Sequence, residues 1–208
     1  YLETLADNVE GVNPRWLRPL QQMQQQAERM QNLLNDLLLL AKLEATDYPS
    51  DSLPIQLEPL LTSIRNDAIA LSANRQHQIS LEVEPGLSLR GSEAELRSAF
   101  SNLAFNAVKY SPDGSSVCIR AWQDAQGIHV AVQDSGIGIE ARHIPRLTER
   151  FYRVDASRAS TTGGTGLGLA IVKHVLLRHR GNLAISSSLG HGSLFSCHFP
   201  SHAGLGER

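Results

Sequence analysis

Between Pro14 and about Ala45 the apolar positions fall at Trp16, Leu20, Met23, Ala27, Met30, Leu34, Leu37 and Ala41, separated alternately by four and three residues. A heptad seam held this long predicts one continuous helix that packs in a left-handed bundle or coiled coil. Many of the positions between are glutamine, which suits a solvated face. Upstream, Tyr1–Glu10 reads as a short helix end, broken by Gly11, Asn13 and Pro14, with Pro14 suited to the first turn of the long helix. A hairpin this thin cannot bury its seam alone, so a homodimeric four-helix bundle is its natural completion.

The pattern changes after Ala45. Thr46–Pro54 collects Asp47, Pro49, Ser50, Asp51, Ser52 and Pro54 and reads as a linker. We therefore divide the chain into residues 1–46, a partial helical hairpin, and residues 47–208, a second domain. In that domain Leu57, Leu60, Leu61, Ile64, Ala68 and Leu71 have helical spacing, whereas Ile79, Leu81 and Val83 alternate as in a strand. Ser92 and Glu95 have the spacing of a capping box opening a helix with Leu96, Phe100, Leu103 and Ala107. Val117–Ile119–Ala121 and Ile128–Val130–Val132 predict a hairpin turning near Asp124 and Gly127. A helix over Gly168–His179, stopped by Gly181, precedes two strands near 183–187 and 194–199. Strands next to strands, with helices between, predict an α+β two-layer sandwich.

Composition narrows the function. Of 208 residues, 41% are hydrophobic and 19% charged, enough for a real core. A net charge of −2 and a pI near 6.5 lack the basic footprint of a nucleic-acid binder. Cys118 and Cys197 have no metal-site spacing and fit a reducing compartment. The longest apolar run, Leu37–Ala41, is far short of the roughly 20 residues that span a bilayer. The chain opens at Tyr1 in mid-pattern, as expected of a fragment.

Four segments carry candidate chemistry. In the first, Asn102, Asn106 and Lys109 share one helix face at i, i+4 and i+7. An amide oxygen there can ligate Mg²⁺, which takes oxygen ligands, waters and substrate phosphates. A solvated polar face is the plainer reading, though two asparagines in mid-helix cost helix stability. In the second, Asp134 ends a strand and is followed by Gly136 and Gly138. A carboxylate can accept from an exocyclic amine, and glycines let backbone approach a flat ring, but D-x-G alone is usually just a turn. In the third, RFYRVD over Arg150–Asp155, Arg153 can reach a phosphate. In the fourth, Thr162–His174, glycines 163, 164, 166 and 168 precede a helix whose free N–H groups and dipole favour phosphate. The P-loop pattern is absent and the dinucleotide fingerprint does not fit. Alone, the third reads better as ordinary packing with a solvated arginine, and the fourth is weak evidence that a flexible linker would also give.

Together, in this order and spacing, the segments resemble the N, G1, F and G2 boxes of sensor histidine kinases, within the ATPase fold shared with gyrase and heat-shock 90. GHGSLF over Gly190–Phe195 is similar to the G3 box, and IPRLTERFYRVD resembles the phosphate-regulon branch. The resemblance implies a catalytic domain that transfers the ATP γ-phosphoryl group to a bundle histidine and then to the aspartate of a response-regulator receiver domain. It implies Asn106 as the Mg²⁺ ligand supported by Asn102, Lys109 and Arg153 toward phosphate, and Tyr110 stacked on adenine. Asp134 would read the adenine amine beside Gly136 and Gly138, while Gly164, Thr165, Gly166, Leu167 and Gly168 grip the phosphates. Residues from about Ile139 to Gly164 would form a lid. ATP and Mg²⁺ are the implied cofactors. A cytoplasmic domain whose parent is anchored in the inner membrane is the implied location.

The chain departs from the pattern twice. Thr148 stands where the F box usually has an earlier phenylalanine. Residues 1–45 contain no histidine, so the phospho-acceptor is expected to be missing and this chain alone not to autophosphorylate. The eight histidines all lie from His77 onward, and partial exposure is expected of His174 and His179. Two alternatives remain open: a related hydrolysing ATPase, disfavoured because Asn102 stands where an activating glutamate is needed, and a dimerisation module with an incompetent pocket.

Overall fold

In a computed structural model, residues 14–45, 53–154 and 164–201 are described. The helix with the seam, α1, runs Pro14–Ala45 with Pro19 near its start. The expected helix end over residues 1–10 and the linker residues 46–52 lie outside the described residues. The linker reading ends too late, however. Leu53 and Pro54 open a short strand, β1 (Leu53–Gln56), which pairs antiparallel with β3 (Ser88–Gly91). No periodicity of four residues marks such strands; their pairing is made by partners over 30 positions away.

The remainder follows the predicted periods. Helix α2 (Leu57–Ser72) buries Leu57, Leu60, Leu61, Ile64 and Ala68. Strand β2 (Gln78–Val83) precedes β3, then α3 (Glu93–Tyr110), β4 (Ser116–Gln123), β5 (Gly127–Asp134), α4 (Gly168–Arg178), β6 (Asn182–Ser187) and β7 (Ser193–Pro200). Five strands form one mixed sheet in the order β2-β4-β5-β7-β6. β2 is parallel to β4, which requires the long crossover through β3 and α3; the other neighbours are antiparallel.

Alternation explains the two layers. Ile119 pairs with Val132 and Val132 with Phe195, while Ala121 pairs with Val130 and Val130 with Cys197. These side chains point one way and pack under α3 and α4, with Phe100 edge-on to Phe199 at 6.1 Å and 85°. The opposite face carries the row Trp122, His129 and His198, with neighbouring centroids 4.9 and 4.8 Å apart. This is the predicted two-layer sandwich, with α1 laid against α4 through Leu40 and Leu43.

One expectation needs correction and another refinement. Ser92 occupies the N-cap of α3, but no side-chain capping bond forms. Its N–H donates instead to His179 Nε2 at 3.2 Å, and Glu95 is held by Arg178. His179 keeps the partial exposure expected of it, but only through its backbone: the side chain is 1% accessible, and Nδ1 donates to the Val175 carbonyl at 2.7 Å. Buried, with one nitrogen donating and one accepting, it has the neutral ring's hydrogen-bonding pattern, and burial pushes its pKa down.

Candidate functional site

The second half of α3 supplies one wall. Its inward face (Leu96, Phe100, Leu103 and Ala107) is buried, which turns Asn102, Asn106 and Lys109 toward the rim as half-buried side chains. The Asn102 amide donates back to the Ser98 carbonyl at 2.9 Å. A side chain at Gly168 would overlap the Asn102 amide oxygen, so α3 and the start of α4 meet closely only because residue 168 is glycine. The C-terminal end of α3 is fixed by Arg75. Its guanidinium donates to the carbonyls of Val108 (2.9 Å) and Ser111 (2.5 Å), and to Asp113 at 2.7 Å. A cation at a helix C-terminus also opposes the helix dipole. Nothing local in the sequence points to Arg75, because its partners lie more than 30 residues away.

The second wall is the turn after β5. Asp134 is 8% exposed, and its Oδ1 accepts the Gly136 N–H at 2.8 Å. Burial pushes this carboxyl above the ordinary aspartate range, against the lowering effect of N–H donors from Gly136 and Ser193. A Cβ on Gly136 would stand 2.7 Å from Asp134 Oδ1, 2.8 Å from the Tyr110 carbonyl and 2.9 Å from Ser111 Oγ. That single point therefore ties the end of α3 to the Asp134 turn. Ser111 Oγ is buried there without a hydrogen-bond partner among the described residues. Gly138, at φ 67°, lies against the Ser188 carbonyl, where any side chain would collide.

The third wall joins Arg150–Val154 to the start of α4. Phe151 N–H donates to the Gly166 carbonyl at 2.9 Å. Gly166, at φ 74°, has room for no Cβ, which would stand 2.9 Å from the Phe151 Cα. Arg153 donates to the Gly164 carbonyl, and the Tyr110 hydroxyl lies 3.8 Å from the Gly164 Cβ position. So Tyr110, Arg153 and Gly164, distant in sequence, converge. Lys109 has its pKa lowered, first by burial and further by Arg153, with the Asp36 carboxylate opposing. Thr165 Oγ1 donates to Asp36 Oδ2 at 2.8 Å and accepts the Leu167 N–H at 3.2 Å. Leu167 itself is fully buried, and its N–H is held by Thr165. Residues 155–163, including Thr162, Gly163 and much of the expected lid, lie outside the described residues.

Chemically, these segments bring together one buried carboxylate beside glycine-thinned backbone and, through Tyr110 and Arg153, a cation and a helix N-terminus. A base-bearing phosphate ester fits that division. Among the described residues no cluster of three or more His, Cys, Asp or Glu side chains can hold a metal by itself. A divalent cation would therefore arrive with phosphate and water ligands, and a neutral amide such as that of Asn106 fits such a shell. No helix of the described residues is long and apolar enough to cross a membrane.

Known proteins resemble this chain in sequence and in fold. The family described as histidine kinase-, DNA gyrase B-, and HSP90-like ATPase matches residues 91–203. The chain is 71% identical to the phosphate regulon sensor protein PhoR of Pseudomonas aeruginosa over 100% of its own length and 47% of that relative's. It is 44% identical to PhoR of Haemophilus influenzae, covering 96% of itself and 46% of the relative. The chain thus spans about half the length of these curated relatives. Among solved structures it resembles full-length ShkA in complex with AMPPNP (TM-score 0.77, 25% identity, 91% of this chain and 39% of that one). It also shares its fold with the Acinetobacter baumannii histidine kinase AdeS (TM-score 0.73, 18% identity, 97% of this chain and 91% of that one).

Proposed function

We propose, from the premise that the chain belongs to the family of histidine kinase-, DNA gyrase B- and HSP90-like ATPases, that it is the Mg²⁺·ATP-binding catalytic portion of a sensor histidine kinase. The observation that supports this reading is the meeting of four separated segments: the Asp134–Gly136 turn lies against the end of α3, and both α3 and Phe151 lie against the glycines at the start of α4. In it Asp134 accepts from the adenine amine, Gly136 and Gly138 leave room for the ring, and Tyr110 covers it. Asn106, supported by Asn102, ligates Mg²⁺, which offsets the charge of the phosphates. Lys109 and Arg153 face the phosphates, and the backbone of Gly164–Gly168, with Thr165, holds them at the α4 N-terminus.

The γ-phosphoryl group then passes to an imidazole nitrogen of a dimeric helical bundle, and from there to the aspartate of a response-regulator receiver domain. Phosphoryl transfer of this type depends on positioning and charge neutralisation rather than covalent help from the protein. Burial lowers the Lys109 pKa, and the Asp36 carboxylate opposes that effect in favour of the ammonium form. The similarity to PhoR sequences supports phosphate-starvation signalling as the pathway. In this reading the parent protein is anchored in the inner membrane and this portion faces the cytoplasm.

Calorimetric titration with Mg²⁺·AMPPNP tests the proposal. Wild-type chain is expected to bind, and Asn106→Ala to lose the Mg²⁺-dependent part of the affinity while keeping its fold. Incubation of the chain alone with γ-labelled ATP is expected to leave no acid-labile label. Absence of nucleotide binding, or binding indifferent to both Mg²⁺ and Asn106, would sink it.

A further inference from the structure

A carboxylate from outside the catalytic layers reaches the phosphate side of this cleft. Helix α1 packs on α4 through Leu40 and Leu43, which are 2% and 3% exposed. One turn before Leu40, Asp36 Oδ2 accepts the Thr165 hydroxyl proton at 2.8 Å. Thr165 Oγ1 meanwhile accepts the N–H of Leu167, the N-cap residue of α4, at 3.2 Å. A threonine hydroxyl has a single proton to give. Here that proton is committed to Asp36, and one N–H at the helix start is committed to Thr165. The α4 N-terminus, whose dipole favours a nearby anion, thus already faces one. Lys109 feels the same charge, since Asp36 is the neighbour that favours its ammonium form.

Further contacts keep α1 in this pose. Glu44 pairs with Arg150 and lies 3.4 Å from His174 Nε2, while the Leu43 carbonyl accepts from Arg178 Nη1 at 3.3 Å. Arg150 and Thr165 flank the Arg153–Gly164 contact in sequence, so α1 touches both strands of chain that border the phosphate side. The single Thr165 hydroxyl proton can serve only one anion, and a second anion at this corner repels the first. A terminal phosphate reaching this corner must therefore displace Asp36, whereas a shorter phosphate chain that stops before it need not.

We propose that Asp36 is a specificity-determining residue for the terminal phosphate of the nucleotide: its carboxylate and that phosphate compete for the Thr165 hydroxyl and the Lys109 ammonium, so that a triphosphate loosens α1 from the catalytic layer and a diphosphate does not. This rests on the nucleotide-binding reading above. By linkage, helix docking weakens triphosphate binding by the same factor by which triphosphate weakens helix docking.

The test titrates Mg²⁺·AMPPNP and Mg²⁺·ADP into the 208-residue chain, wild type and Asp36→Asn and Asp36→Ala. Removing the competing charge is expected to tighten AMPPNP binding about tenfold, most in Asp36→Ala, and to change ADP binding by less than about twofold. Amide hydrogen exchange over residues 36–45 is expected to rise on saturation of wild type with AMPPNP but not ADP. Unchanged or weaker AMPPNP binding in both variants would overturn the proposal, as would equal tightening for ADP. Failure of wild type and variants alike to bind either nucleotide would overturn the nucleotide site itself, and this proposal with it.

Discussion

A buried carboxylate is disfavoured by its own charge, and in the proposed site Asp134 would offer adenine an acceptor at that expense. Burial raises its pKa although Gly136 and Ser193 donate to it, so the ionised form is the costly one in the folded chain. The sign of the linkage follows. A carboxyl whose folded pKa lies above its unfolded value contributes most stability below the unfolded pKa, and loses that contribution as pH rises through the folded one. Adenine recognition runs the other way, because the proton must be off for both oxygens to accept. ATP affinity is therefore expected to fall on acidification, starting above the pKa of about 3.9 of an ordinary aspartate. Asp134→Asn is expected to flatten that profile and to reduce the preference for adenine over guanine nucleotides roughly 10- to 100-fold, as for loss of a hydrogen bond to a charged group. Titration calorimetry across pH with both nucleotides checks this; an unchanged profile in the variant would assign the titration to another group. The motif residues at this scale could be read from sequence because each glycine and carboxylate stands at a strand or helix end. Ser111, Arg75 and Asp36 could not, since their positions depend on partners made only by the fold.

At the scale of elements, the buried pair of Arg178 and Glu95 fastens α4 to the start of α3. Its oxygens and nitrogens meet at 3.1 Å twice, with side chains 5% and 6% accessible, and Arg178 also reaches the Leu43 carbonyl of α1. Arg178→Ala leaves a buried carboxylate uncompensated, and a loss of about 3–5 kcal/mol is expected. Denaturant unfolding of Arg178→Ala and the Glu95→Gln, Arg178→Ala double variant measures it, the second change restoring part of the loss by removing the stranded charge. Equal stability of both variants would mean that Glu95 is already solvated. This pair also shows why local reading failed here. Ser92 and Glu95 have capping-box spacing, yet Glu95 finds a guanidinium 83 positions away and Ser92 N–H finds His179. The tertiary partner outweighs the local one because it neutralises charge that would otherwise be buried. Long elements with a steady period, such as α2, α3, β4 and β5, were legible because many positions vote for one face. Strands β1 and β3, at four residues each, offer too few.

For the whole molecule, α1 has two apolar faces rather than one. Leu40 and Leu43 pack inward against α4. The heptad seam turns elsewhere: Met23, Met30, Leu34 and Leu37 are 59%, 65%, 56% and 36% exposed. The apolar run from Leu37 to Ala41 hides the second face in the sequence, since consecutive leucines satisfy both patterns at once. An exposed apolar stripe this long marks a binding surface, and in the proposed bundle a second copy of the same helix would fit it because the seam is periodic and self-complementary. Each seam side chain buried in such a dimer contributes about 1.5–3 kcal/mol. Met30→Glu combined with Leu34→Glu changes four positions per dimer and replaces burial with like charges, enough to prevent association at micromolar concentrations. Sedimentation velocity is expected to find the parent chain dimeric and this variant monomeric. Because neither residue belongs to the face on α4, nucleotide affinity and thermal unfolding of the sandwich are expected to stay unchanged. A parent chain that sediments as a monomer, or a variant that remains a dimer, would remove the second copy as the partner of this seam.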